Sequence, residues 1–226
     1  MIPFIQEVEN DANVRNRDGN VRSLIIDLRG NTGGGIGALR VMSLLTPHRI
    51  PVGFAIDQRR YKGNPEADKL AFPRFSRIPQ NTKYLWLLGL RFAPAMMAKK
   101  PIVLETEGLG PKPFHDRVVL LVDRHTASAA EMIVAFSREN NLATIIGEKT
   151  AGRLLSATSV KAGKGFRLAL PTGVYRTWSG SVYEGNPIEP DFASGFDWRD
   201  RRVGWKDRQL ALAAETLTTI EFRGAC

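Results

Sequence analysis

The sequence predicts a mixed α/β layer fold, and three segments carry that expectation. Residues 21–28 (VRSLIIDL) form a short apolar, β-branched run that ends in the glycine cluster GNTGGG at 30–35. Residues 36–45 then place apolar side chains at helical spacing and stop at Thr46–Pro47. Residues 117–123 (RVVLLVD) repeat the pattern: a buried-strand run, a turn at 124–126, and an alanine-rich, helix-compatible stretch over 129–140. A third apolar run, ATIIG at 143–147, follows at once. Strands alternating with helices argue for helices layered on a sheet.

The rest of the chain is less regular. Residues 49–114 hold many of the prolines and much local basic charge; a strand near 50–56, an irregular basic stretch to about 80 and a helix across 83–98 are expected. After the loop at 148–152, two strands are expected around 165–170 and 173–178, joined by Pro171–Thr172. Residues 184–187 read as a loop leading into 188–191, and 207–219 as a closing amphipathic helix. No internal repeat is visible.

The 226 residues are 43% hydrophobic and 24% charged, which suits one large folded domain and excludes a wholly disordered chain. The single cysteine, Cys226, cannot close an internal disulfide. A net charge of +9 raises the question of nucleic acid, but the basic residues are scattered and, over 197–208, interleaved with Asp197, Asp200 and Asp207. No nucleic-acid motif accompanies them, so a solvated basic surface is the favoured reading. The most apolar stretch, 84–97, is short and contains Arg91 and Pro94, so no membrane span is expected. The first residues, MIPFIQEVENDANVR, lack the layout of a signal peptide.

Two places permit chemistry. Ser128 sits at the strand-to-helix turn among small residues, where a hydroxyl is exposed and the following amides point one way at a helix N-terminus. From the pattern alone, a plain N-cap completed by Glu131 as a capping box is the stronger reading. The 30–35 loop lacks the P-loop Lys–Ser/Thr pair and the dinucleotide fingerprint. It is either a tight turn or a backbone N–H aimed at developing negative charge.

Taken together, SLIIDLRGNTGGG (23–35), VVLLVDRHTASAAEMIVAF (118–136), ATIIGEKTAGR (143–153) and YRTWSGSVYEGNPIEPD (175–191) resemble the tail-specific, carboxyl-terminal processing serine peptidases. The likeness is strongest to their tricorn-like branch, which includes the repeats of interphotoreceptor retinoid-binding protein. The resemblance implies a Clp-protease/crotonase-like ββα spiral core. It implies Ser128 as nucleophile, the amide of Ala129 as one half of an oxyanion hole, and an amide of Gly33 or Gly34 as the other. Glu184 falls where that branch places the glutamate of its serine–histidine–glutamate relay. No metal or organic cofactor is implied, and the expected partner is a peptide or unfolded protein substrate; a homo-oligomer stays open. Family usage suggests an extracytoplasmic location.

The base is where the sequence departs. The processing branch has a lysine 25 residues after the nucleophile (153 − 128); here that position is Arg153, which is effectively never deprotonated. Lys149 precedes that position by four residues. The branch histidine lies upstream of the DLRGN strand, and His48, His115 and His125 do not match it. The expectation is therefore that residues 1–226 are a catalytic core lacking its N-terminal segment, with the histidine upstream and the chain alone weakly active or inactive. The alternatives are a non-catalytic scaffold of the same fold binding apolar ligands or peptides and, more remotely, an acyl-thioester enzyme of the crotonase type.

Overall fold

The computed structural model describes residues 22–35, 37–57, 61–76, 90, 92–95, 97–98, 100–112, 114–195 and 207–223. Four parallel strands form one sheet in the order β1 (Leu24–Asp27), β5 (Val118–Val122), β6 (Thr144–Gly147) and β9 (Phe192–Ala193). β5 is buried along its whole length, as a central strand covered on both faces must be. Its side chains alternate between two cores. Val118, Leu120 and Val122 join α1 (Gly37–Leu45) and α3 (Ala129–Glu139) on one side. Val119 and Leu121, with Ile146, meet Ala213 and Leu217 of α4 (Arg208–Arg223) on the other. The result is the expected mixed α/β layering, here with helices on both faces of the sheet.

α1 buries Ala38, Leu39, Met42 and Leu45, one face of a helix by spacing, and packs beside α3. Because β1 runs into α1 and β5 into α3, both strand-to-helix turns emerge side by side at the carboxyl ends of neighbouring parallel strands. In open α/β sheets that edge is where ligands bind.

A second sheet has the order β3 (Arg74–Phe75), β4 (Val103–Glu105), β2 (Pro51–Ile56), β8 (Phe166–Thr177) and β7 (Leu155–Gly163). Phe54, Ile56, Phe72 and Val103 form its core. A short helix, α2 (Pro65–Asp68), is capped by Asn64, whose side chain accepts from the Glu66 and Ala67 N–H groups.

One expectation is corrected. Residues 166–177 are a single strand that runs through Pro171–Thr172, and its partner is 155–163, a strand beyond those the sequence pattern predicts. A bulge accommodates the proline: Ser156 faces Gly173 and Ala157 faces Pro171, so Thr172 is the extra residue. The turn lies instead at Gly163, Lys164 and Gly165, all with positive φ. Of the helix expected over 83–98, residues 90, 92–95 and 97 are helical, residue 98 is a turn, and the remainder lies outside the described residues, as does the segment 1–21. The closing helix runs to Arg223, four residues further than expected.

Candidate active site

Ser128 stands between the end of the β5 turn and the first residue of α3, with φ 55° and ψ −121°. An ordinary N-cap residue has extended backbone. A non-glycine side chain at positive φ is instead a strained position that the surroundings must hold, as at the strand-to-helix elbow that presents a nucleophilic serine. The Ser128 N–H is held by two acceptors, the Arg153 carbonyl at 3.0 Å and Glu131 Oε2 at 3.1 Å.

Glu131 is the residue whose importance the pattern understated. It is fully buried, yet its carboxylate accepts from Thr150 Oγ1 (2.6 Å), Gly152 N–H (2.7 Å) and Arg153 N–H (2.8 Å) as well as from Ser128. Four donors on two oxygens, in the first turn of a helix, satisfy the charge without a cation. The carboxylate therefore fastens the 150–153 loop to the Ser128 turn. A capping-box spacing signals one of these bonds; the other three depend on a loop about 20 residues away and leave no local trace.

The glycine loop is tied to the same turn from the other side. Gly30 N–H donates to both Asp123 carboxylate oxygens at 3.0 Å, while the His125 and Thr126 N–H groups donate to Asp123 Oδ1 at 2.9 Å. Ala127 N–H donates to the Asn31 carbonyl at 3.0 Å. Gly33, at φ 106°, comes so close that a Cβ there would lie 2.6 Å from Ser128 Cβ, 2.9 Å from the Ala127 carbonyl oxygen and 3.1 Å from the Ala129 nitrogen. Only glycine fits. Its own N–H is engaged by Asn31 Oδ1 at 3.0 Å. Among the described residues, the Gly34 and Ala129 N–H groups have no acceptor.

Beside these amides opens a cleft of about 260 Å³. Ile26 and Leu28 of the β1 end, Ala38 and Val41 of α1, and Ala130 and Ile133 of α3 give it a mainly apolar wall, with Asp27 and Asn31 as its polar edge. It suits an uncharged side chain of moderate size.

Glu184 is exposed and is not a wall of that cleft. Its loop nonetheless joins the site: Gly185 N–H donates to the Gly152 carbonyl at 2.9 Å, and Pro187 packs on Gly152. The Arg153 side chain is exposed. Lys149 reaches away to Glu189, Nζ to Oε1 2.5 Å. His48 is exposed. His115 has both ring nitrogens occupied, Nδ1 accepting from Lys112 N–H at 3.2 Å and Nε2 lying 3.0 Å from the Leu44 carbonyl oxygen. His125 is exposed and its Nε2 accepts from Arg124 Nε at 3.3 Å. No hydrogen bond joins any of the three to Ser128. Among the described residues no cluster of histidine, cysteine or carboxylates could hold a metal ion, and no helix is long and apolar enough to cross a membrane.

The chain is similar to several known proteases. The chain is 32% identical over 74 residues to a carboxy-terminal-processing protease of Bartonella bacilliformis, covering 33% of this chain and 17% of that protein. It is 29% identical over 101 residues to a chloroplastic carboxyl-terminal-processing peptidase of Arabidopsis thaliana, covering 45% and 20%. The matched stretches thus span about a fifth of the curated relatives. Among solved structures, the photosystem II D1 C-terminal processing protease superposes with a TM-score of 0.51 at 20% identity, over 77% of this chain and 35% of that one. The tricorn protease gives 0.55 at 13% identity, over 96% and 16%. These likenesses establish the Clp-protease/crotonase-like fold. The model of peptidase family S41 matches residues 5–194, most of the sequence, and the chain belongs to that family.

Proposed function

We propose that this chain is the catalytic core of a serine endopeptidase that cleaves unstructured or C-terminal segments of proteins. One observation carries the proposal: a serine held at positive φ at a helix N-terminus, with the unengaged amides of Ala129 and Gly34 and an apolar cleft beside it. Ser128 Oγ would attack the scissile carbonyl while its proton passes to a base. The resulting oxyanion would be held by the Ala129 and Gly34 N–H groups. Gly33, its N–H engaged by Asn31, would serve by its lack of a side chain. Collapse would expel the amine, which takes the proton back from the base, and water would release the acyl group by the same path in reverse order. Losing one such donor typically costs about 10²–10³ in rate.

The base is assigned to a histidine outside residues 1–226, oriented by Glu184, since none of the three histidines present bonds to Ser128 and Arg153 cannot accept a proton. By analogy with the chloroplastic relative, an organellar or extracytoplasmic compartment suits the activity. The test is labelling by a fluorophosphonate probe, which reports an activated serine. Residues 1–226 should label slowly or not at all. A version extended upstream should label rapidly, and its Ser128→Ala variant should be inert. Labelling that survives Ser128→Ala would overturn the assignment.

The absence of a bonded base also favours a second reading, a non-catalytic scaffold whose apolar cleft binds a peptide or apolar ligand. An extended version that binds peptide but never labels would decide for it.

A further inference from the structure

The hairpin of β7 and β8 stands out from the rest of the molecule. β8 pairs with β2 only through residues 174–177, whereas β7 and β8 pair with each other from Leu155 opposite Val174 to Gly163 opposite Phe166. Among the described residues the outer part is therefore a two-stranded ribbon with no third strand, and residues 160–172 are all exposed. Its faces differ. Phe166, Leu168 and Leu170 alternate along β8 with Val160 opposite Leu168, and they are 72%, 50%, 42% and 39% exposed. The other face pairs Lys161 with Arg167, and Lys164 sits in the turn.

A ribbon of this kind is marginal in water, and like charges set opposite each other weaken it further. Residues 155–177 contain four basic residues and no acidic one. Lys161, Lys164, Arg167 and Arg176 are thus the charged residues of the arm itself, all of one sign.

We propose that this ribbon docks the protein onto an anionic lipid surface. Large apolar side chains on one face, with basic side chains within a Debye length, are the combination that binds the lipid–water boundary. Other occupants fit less well. A peptide added to the free edge of β7 would satisfy main-chain groups and leave the apolar face uncovered. A second copy would supply four such side chains a side, far below the roughly 20–30 residues of a standard interface, and would carry the same positive charge.

The test is co-sedimentation of the 226-residue chain with vesicles of phosphatidylcholine alone and of a one-to-two mixture of phosphatidylglycerol and phosphatidylcholine. Binding to the mixed vesicles only, weakened as salt rises, is expected. Phe166→Ser with Leu168→Ser, and separately Lys161→Glu with Lys164→Glu, should each reduce it at least tenfold. If the serine pair disturbs folding by circular dichroism, the glutamate pair carries the test alone. No binding to mixed vesicles, equal binding to both kinds, or binding that both pairs leave unchanged overturns the proposal. So does conversion of a dimer to a monomer by the serine pair in the absence of vesicles.

Discussion

A methyl group on Gly33 would stand 2.6 Å from the Cβ of Ser128, so the glycine loop and the serine turn touch with no side chain between them. Gly33→Ala adds that methyl at φ 106°, where an L side chain is already strained. The loop must shift, carrying the Gly34 amide with it. We expect a loss of stability of about 1–3 kcal/mol and at least about a 100-fold fall in fluorophosphonate labelling of the upstream-extended protein. Labelling at the native rate would mean that the loop does not form the site.

Glu131→Gln preserves shape and removes charge. Glutamine offers one acceptor and turns its NH₂ toward N–H groups that now bond to a carboxylate. Leaving buried donors unpaired should lower the unfolding free energy by about 1–3 kcal/mol, read as a lower urea midpoint. An unchanged midpoint would show that the 150–153 loop is held by other contacts.

Asp207 links α4 to the main sheet through Arg29, 2.8 Å away, with Gln209 also accepting from Arg29. Burial pushes the Asp207 carboxyl up, but the Leu210 amide and the Arg29 guanidinium outweigh it and hold it below its ordinary value. The stability this contributes is fully present above about pH 4, the unfolded carboxylate range, and is lost as pH falls through the lower folded value. Asp207→Asn should therefore be less stable at neutral pH and show a shallower fall in melting temperature below about pH 4. Parallel acid profiles for the two proteins would exclude this pair as a source of acid sensitivity.

Val41 lines the cleft from α1. Val41→Phe would fill much of the space there, with folding little affected if the ring occupies the open side. In an active extended protein, kcat/KM for substrates with a bulky apolar residue at the cut should fall at least about tenfold, while alanine-containing substrates change less than about threefold. Equal losses for both would place the substrate side chain elsewhere.

What could be read in advance divides by the range of the forces involved. β5 was legible because VVLLV is a short, β-branched apolar run bounded by turn residues, the pattern of a strand buried on both faces. Ser128 and the glycine loop were legible as neighbours only through resemblance, since no local rule brings residue 33 to residue 128. β7 was missed because LSATSVKAG carries small polar residues where a buried strand would carry large apolar ones, and the ribbon it joins is exposed. Pro171 looked like a breaker; a bulge in the pairing admits it. Glu131 read as a cap because only one of its four bonds is local.

The parallel pairing of β1 with β5 sets a schedule for the protein's birth on the ribosome. Leu24 faces Val118, so the glycine loop waits through more than ninety residues of synthesis before its partner strand exists. The Ser128 turn then waits for Thr150, Gly152 and Arg153 to emerge and be gathered by Glu131. Chains are made from the N-terminus, and contacts of long sequence separation form late. A chain made only as far as α3 therefore has Ser128 but not the 150–153 loop that Glu131 gathers around it. The contacts that hold Ser128 at positive φ are complete only after residue 153 has been made.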